Sequence, residues 1–269
     1  MMPILIFYSS IGWNFLFAIE NNGRGVKAIG MASAFVAVSD NFWAMEYNPA
    51  GLARIDKYGF SFFVVPEQFG LSELRTYAGV MTIPLSYIKS AFKMERFGFE
   101  YFHETVLGIA LAGSIDHNVF IGLGINVNQL QIHNYGTTNY YSLDGGLLVE
   151  VLDNINFGCA INNFYQSRKV NLLGQSPLLI AIGLCWIPIL NTQLSLEMEK
   201  DIRFPISLKV GIEQKIMDVL SLRLGVADNP SKYAAGLGIK YMIFEFGYAG
   251  YSHIDLGWTH QIELAIILD

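Results

Sequence analysis

The chain has 269 residues and a formal net charge of -6, with 52% hydrophobic, 14% aromatic and only 15% charged residues. Soluble domains carry about 25% charged residues, so an ordinary water-soluble enzyme is excluded. The acidic balance, with no basic stripe, excludes a nucleic-acid partner.

The first stretch, MMPILIFYSSIGWNFLFA, has the apolar core of a secretory signal peptide ending at Ala18, although no Lys or Arg precedes that core. Residues 1–18 are therefore read as a signal peptide and residues 19–56 as a separate N-terminal segment. Within it, SDNFWAMEYNPAGLARI (39–55) sets Asp40 as a cap for a short helix that Asn48-Pro49 must end. Gly51 permits a backbone that other residues resist, so the segment reads as a kinked half-helix and turn.

From residue 57 onward the period is two. Alternation and turn signals place about 14 strands, near 57–65, 74–84, 91–101, 104–113, 118–132, 139–151 and 154–163, then 177–187, 191–199, 204–215, 218–226, 232–241, 243–251 and 256–267. In LSLRLGVA, Leu220, Leu222, Leu224 and Val226 oppose Ser221, Arg223 and Gly225; in FEFGYAGY, Phe244, Phe246 and Tyr248 oppose Glu245, Gly247 and Ala249. Cys159 and Cys185 fall on opposite faces and form no disulfide. A transmembrane helix needs about 20 unbroken apolar residues, and the longest run past the N-terminus, LLIAIGLCWIPIL, is interrupted by Gly183 and Pro188.

The two faces differ in kind. One is large and apolar; the other is Gly, Ala and Ser with sparse charges: Glu197, Glu199, Lys209, Glu213, Arg223, Lys240, Glu245 and Glu263. A soluble sandwich buries its apolar face and wets a richly polar one. Here the small and ionic face suits a crowded interior, and the apolar face suits hydrocarbon. Strands of about ten residues with this alternation fit a transmembrane barrel. Trp186, Tyr241, Trp258, Tyr140 and Tyr141 stand near strand ends, where an interfacial girdle belongs. The expected fold is all-β: a closed antiparallel barrel over residues 57–269, even in strand number so that no edge is left unpaired in lipid. Side chains do not fill a barrel this wide. Residues 19–56 are therefore expected to plug its lumen as a hatch.

The hatch stretch carries a resemblance. GRGVKAIGMASAFVAVSDNFWAMEYNPAGLA (23–53) resembles the N-terminal signature of the PorV/PorQ family and the broader FadL-like outer-membrane barrels, in which a Gly-Met-Gly-Gly-Ala-Phe-Val-Ala-Val-Ala-Asp stretch leads into Trp-Asn-Pro-Ala-Gly-Leu. Gly30, Met31, Phe35 and Asp40 match, as do Asn48, Pro49, Ala50 and Gly51. Ala32-Ser33 replaces the paired glycines, Ser39 an Ala and Tyr47 the Trp. The resemblance implies a 14-stranded barrel of the bacterial outer membrane with an N-terminal hatch, in which these signature residues have a structural or gating role.

No enzymatic chemistry emerges. No metal spacing, nucleophile elbow or P-loop occurs, and no cofactor or metal is expected. Ser252-His253-Ile254-Asp255 is turn chemistry, and Gly122-Leu123-Gly124 lies mid-strand with an inward parity shared by Asn126 and Asn128. The group Glu197, Glu199, Lys209, Glu213, Arg223, Lys240 and Glu245 is read as a paired lumen network, with capture of a cation or polar solute as the other reading. The resemblance implies two functions. One is a PorV/PorQ-type accessory of type IX protein secretion, with secretion components or exported cargo as partners. The other is FadL-like passage of a hydrophobic ligand such as a long-chain fatty acid. Either way the partners include outer-membrane lipid and, during biogenesis, the barrel-assembly machinery.

Overall fold

The protein was analysed as a computed structural model that describes residues 23–167 and 177–268. The proposed signal peptide lies outside the described residues. An N-terminal segment comes first, with helix α1 (Val26–Gly30), helix α2 (Ala44–Tyr47) and a 3-10 turn over Pro49–Arg54. The strands follow: β1 (Tyr58–Val65), β2 (Thr76–Pro84), β3 (Lys89–Gly98), β4 (Phe102–Asp116), β5 (Val119–Ile132), β6 (Gly136–Leu152) and β7 (Ile155–Gln166). The second half holds β8 (Leu179–Trp186), β9 (Thr192–Asp201), β10 (Ser207–Ile216), β11 (Leu220–Asp228), β12 (Ser231–Tyr241), β13 (Phe244–His253) and β14 (Gly257–Leu268).

Each strand pairs antiparallel with its sequence neighbours, and β1 closes on β14 with Tyr58 opposite Leu268. The result is a closed barrel of fourteen strands. Closure follows from the even number, since it lets the first and last strands run oppositely and satisfies every backbone edge. The connections of one rim are short, from two residues at 117–118 to five at 187–191, whereas the other rim carries the long connections 66–75 and 167–178. They are called the turn rim and the loop rim below. The proposed hairpin turn at Ser252–Asp255 is at the loop rim, where the Asp255 N–H donates to His253 Nδ1 at 3.2 Å. No helix among the described residues is long and apolar enough to cross a membrane.

Alternation decides which way each side chain points. Phe60, Phe62, Leu123, Leu196, Val210, Leu222, Leu224, Phe246 and Ile262 all face outward and are exposed. Their strand neighbours Ser61, Glu197, Gly211, Arg223 and Ala249 face inward and are buried. Trp186, Tyr141, Tyr241 and Trp258 are exposed on the outer face, and Trp258 stacks on His260 at 6.4 Å. Tyr140 is not part of that group. It is 1% exposed and points inward, where its hydroxyl donates to Glu104 Oε1 at 2.8 Å. Adjacent strand residues face opposite ways, so Tyr140 and Tyr141 cannot both belong to an outer girdle.

The register shifts at Ser114/Asp116 between β4 and β5 and at Leu143/Gly145 and Glu150/Leu152 between β6 and β7, and the second of these is the largest. Between β6 and β7 the register passes from Leu143↔Tyr165 to Gly145↔Ile161, so β7 bulges over residues 162–164. Asn163 takes a positive φ there, and its N–H donates to Asp144 Oδ1 at 2.7 Å.

Candidate functional site

The candidate site is the contact between the N-terminal segment and the inner wall. Space for it is made by glycines. A Cβ on Gly122 would lie 2.3 Å from the Pro49 carbonyl carbon, on Gly225 2.3 Å from that of Met31, and on Gly158 2.3 Å from the Val36 carbonyl oxygen. Gly146 and Gly247 are filled in the same way by Asn48 and Val26. The wall is therefore shaped to the backbone of this segment on many sides.

Polar contacts hold the segment in that seat. Asn48 is fully buried. Its Nδ2 donates to the carbonyls of Val36 at 2.8 Å and Leu147 at 3.0 Å, and its Oδ1 accepts from Ala50 N at 3.1 Å, capping the 3-10 turn that Pro49 begins. Glu197 Oε2 on β9 accepts from the backbone of Phe35 at 2.8 Å and of Val36 at 2.7 Å. Glu263 on β14 accepts from Val26 N at 2.6 Å, Trp43 Nε1 at 2.9 Å and Ser61 Oγ at 2.6 Å. Carboxylates accepting N–H groups make the strong class of hydrogen bond.

Ion pairs complete the contact. Lys27 lies between Asp40 at 2.8 Å and Glu213 at 2.5 Å and also donates to Gln193. Arg223 binds Glu213 at 2.8 Å and reaches Glu245 at 3.6 Å, and Lys209 joins Glu197 and Glu199. On the opposite wall Arg24 pairs with Glu95, and Lys93 with Glu46. Burial works against the Asp40 charge, yet the Lys27 ammonium beside it, with Lys215 and Arg54 farther off, brings the carboxyl down to about 2. Burial equally opposes the Lys27 charge, but Asp40 and Glu213 raise its pKa above the ordinary lysine value. These pairs neutralise charges that a low-dielectric interior would otherwise leave uncompensated, so removing one partner costs more than the pair contributes net.

Of the residues singled out in the sequence, Glu197, Glu199, Lys209, Glu213, Arg223 and Glu245 are brought together on the inner wall by β9–β11 and β13. Lys240 is not. It sits exposed at the turn rim opposite Glu245 in register, and Glu245 turns to Arg223 instead. Asp40 does not cap a helix: the residue before α2 is Trp43, with no side-chain cap, and Asp40 is committed to Lys27. Gly30 packs on Gly236, Met31 on Gly211 and Gly225, and Gly51 against Ser39. Phe35 meets Tyr47 edge-on at 5.2 Å. The pairs Arg24–Glu95 and Lys93–Glu46 escaped the sequence reading. Parity held a signal for the strand members, since Phe92 and Met94 alternate with Lys93 and Glu95.

A cavity of about 390 Å³ lies toward the turn rim between this segment and the wall of β11, β13 and β14. Phe42, Ile55, Ala265 and Ile267 give it apolar sides, and Asp40, Arg54, Arg223, Glu245 and Glu263 give it charges of both signs. No group of metal-ligating side chains occurs among the described residues.

No family model and no curated sequence matches the chain. Solved structures do. The Ralstonia pickettii toluene transporter TbuX superposes with a TM-score of 0.68 at 9% identity, covering 91% of this chain and 97% of that one. A Pseudomonas aeruginosa FadL homologue gives 0.67 at 11% identity over 91% and 98%, and the Pseudomonas putida toluene transporter TodX 0.63 at 11% over 91% and 97%. The chain has the FadL-like barrel fold. At this identity the likeness extends to the fold alone.

Proposed function

We propose that the chain is a FadL-like channel of the bacterial outer membrane, not an enzyme, passing small hydrophobic molecules across a barrel whose lumen is occupied by residues 23–56 as a hatch. The observation that carries this is the inversion of the barrel. Large apolar side chains cover the outside, and the ions lie inside around a folded segment with a cavity beside it. An exposed apolar surface of this extent demands a partner, and a lipid bilayer covers a closed barrel on all sides without an edge. In such barrels the short turns face the periplasm, which puts the cavity on the periplasmic side of the hatch. Its volume falls within the range of small-molecule sites, and its partly apolar sides match their usual lining. Toluene transporters share the fold, so toluene is the first substrate to try.

The type IX secretion reading rests on the resemblance of residues 23–53, and nothing in the barrel adds to it, so passage of hydrophobic molecules is placed ahead of it. The test is uptake of radiolabelled toluene by a Gram-negative host that lacks its own hydrocarbon channel. Saturable uptake above the empty vector is expected. A heat-modifiable barrel present in the outer membrane that takes up no toluene and no long-chain fatty acid would overturn the reading.

A further inference from the structure

The cavity beside the N-terminal segment changes character along its length. Near the turn rim its sides are apolar: Phe42, whose ring lies over Gly59 next to Ile267, together with Ile55 and Ala265. Deeper along the same wall the lining is charged. Glu245 stands opposite Ala265, and one step farther in Glu263 stands opposite Gly247. The guanidinium of Arg223 lies at that inner level, over Gly238, the β12 partner of Gly247.

The charged end is short of partners. Arg223 is only 4% exposed, yet among the described residues it makes one hydrogen bond, from Nε to Glu213 Oε1 at 2.8 Å. Its Nη2 stands 3.6 Å from Glu245 Oε1, too far for a hydrogen bond, and Glu245 has no other partner among the described residues. Glu263 gives both oxygens to the neutral donors Val26, Trp43 and Ser61 and meets no cation. The other charges on the cavity are paired: Lys27 with Asp40 and Glu213, Arg54 with Glu150, and Asp56 with Lys89, while Lys57 is exposed at the mouth. What the inner end lacks is an acceptor for the Arg223 Nη groups and a cation for Glu245.

A hydrocarbon fills the apolar end and answers neither need. A lone amine answers Glu245 but sets a second positive charge beside Arg223, and a lone carboxylate answers Arg223 but faces Glu245 and Glu263. A solute that carries both charges answers both. Its carboxylate takes the Nη fork of Arg223, the geometry in which guanidinium and carboxylate bind best. Its ammonium takes Glu245, with the negative charge of Glu263 behind it, so the loose Arg223–Glu245 contact is exchanged for two direct ones.

We infer that this cavity binds a zwitterion with an apolar side chain, an α-amino acid of the phenylalanine or leucine kind, its charged head inward and its side chain toward Phe42 and Ile267. A volume of about 390 Å³ has room for it. The inference rests on the channel reading for passage of the solute and deepens it by naming what the cavity holds.

Titration calorimetry on the purified barrel in detergent tests the site with matched probes. Phenylalanine carries both charges and a ring; phenethylamine lacks the carboxylate, 3-phenylpropanoate the ammonium, and alanine the ring. Phenylalanine is expected to bind about tenfold to a hundredfold tighter than each of the others, the range set by one charge-assisted hydrogen bond or one buried ring. Glu245→Gln is expected to weaken phenylalanine and phenethylamine about tenfold and to spare 3-phenylpropanoate. Arg223→Lys keeps a charge beside Glu213 but loses the fork, and is expected to weaken phenylalanine and 3-phenylpropanoate while sparing phenethylamine. If R223K fails to assemble, E245Q and the probes decide. No binding of phenylalanine, binding no tighter than that of its single-charge relatives, or an equal loss of every probe in E245Q would overturn the site. Toluene uptake is a separate readout. A barrel that takes up toluene and ignores phenylalanine loses this site alone, and one that binds phenylalanine without taking up toluene loses the hydrocarbon alone.

Discussion

At the scale of single residues, the inner wall is specified by what it lacks. Gly122 and Gly113 lie on neighbouring strands with different surroundings: a methyl group on Gly122 meets the backbone of Pro49 at 2.3 Å, whereas on Gly113 it meets only the Tyr87 carbonyl oxygen at 3.4 Å. Backbone cannot swing aside as a side chain can. Gly122→Ala is expected to cost about 1–3 kcal/mol, the usual penalty of overpacking, and Gly113→Ala to stay near neutral, both read from urea unfolding in detergent. Two departures from the resembling signature also gain a physical meaning. Ala32 and Ser33, which stand where the signature has paired glycines, take φ of 51° and 61°. A left-handed backbone costs a residue with a Cβ roughly 1–2 kcal/mol, and glycine returns part of that through a looser unfolded chain. Ala32→Gly is expected to raise the unfolding midpoint by the equivalent of about 0.5–1 kcal/mol, and an unchanged or lowered midpoint would show that Ala32 is not strained.

At the scale of elements, the segment before the barrel is held by contacts that no local rule anticipates. Asn and Asp serve almost equally as helix caps. Asn48 does more than cap, since its amide nitrogen donates to two carbonyls while its oxygen accepts from Ala50. Asn48→Asp would keep the cap and point a carboxylate oxygen at two carbonyl oxygens. It is therefore expected to destabilise more than Asn48→Ala, which costs about 1–3 kcal/mol for each polar group left unpaired. Limited proteolysis of the segment gives the order, and equal behaviour of the two variants would mean that capping alone is at stake. The ion pair of Asp40 sets a pH limit. Its carboxyl lies at about 2 in the fold against an ordinary 3.8. A depressed carboxyl stabilises above its unfolded value and loses that contribution as pH falls through the folded one. The protection factors of amides over residues 27–40, taken relative to the intrinsic exchange rate at each pH, are thus expected to fall from about pH 4 down to pH 2, and Asp40→Asn to weaken that dependence.

The same contrast explains what was legible in the sequence. A strand announces itself through period two, a property of neighbouring residues, so every strand was found within a few residues; the outward face failed at Tyr140, which was grouped with Tyr141 by its nearness to a strand end and not by its parity. Lys240 has the inward parity, but parity does not report distance from the rim, and the residue ends in the open. Asp40 had the local signature of a cap and lost it to Lys27, thirteen residues earlier. The pairs Arg24–Glu95 and Val26–Glu263 span 71 and 237 residues of sequence, and only closure of the barrel brings their partners together.

At the scale of the whole molecule, the question is what surrounds the barrel. Leu224 is 60% exposed near the middle of β11, with Leu222 and Val226 exposed on either side of it. On a surface facing water, replacing such a leucine by arginine removes an apolar side chain from solvent and is neutral or favourable. On a surface facing hydrocarbon the same change costs about 2–4 kcal/mol at the bilayer midplane and close to nothing near the interfaces. The outward face therefore carries a depth gauge. Leu224→Arg and Leu123→Arg, each mid-strand, are expected to lower stability in phospholipid vesicles by about that amount, whereas Tyr241→Arg at the turn rim is expected to change it by less than about 1 kcal/mol. The same three variants in the detergent-solubilised barrel should differ far less, because detergent adapts around a charge as a bilayer cannot. A flat profile in vesicles, with the two mid-strand variants as stable as the rim variant, would mean that these leucines do not face lipid, and the reading of the barrel as a membrane channel would fall with it.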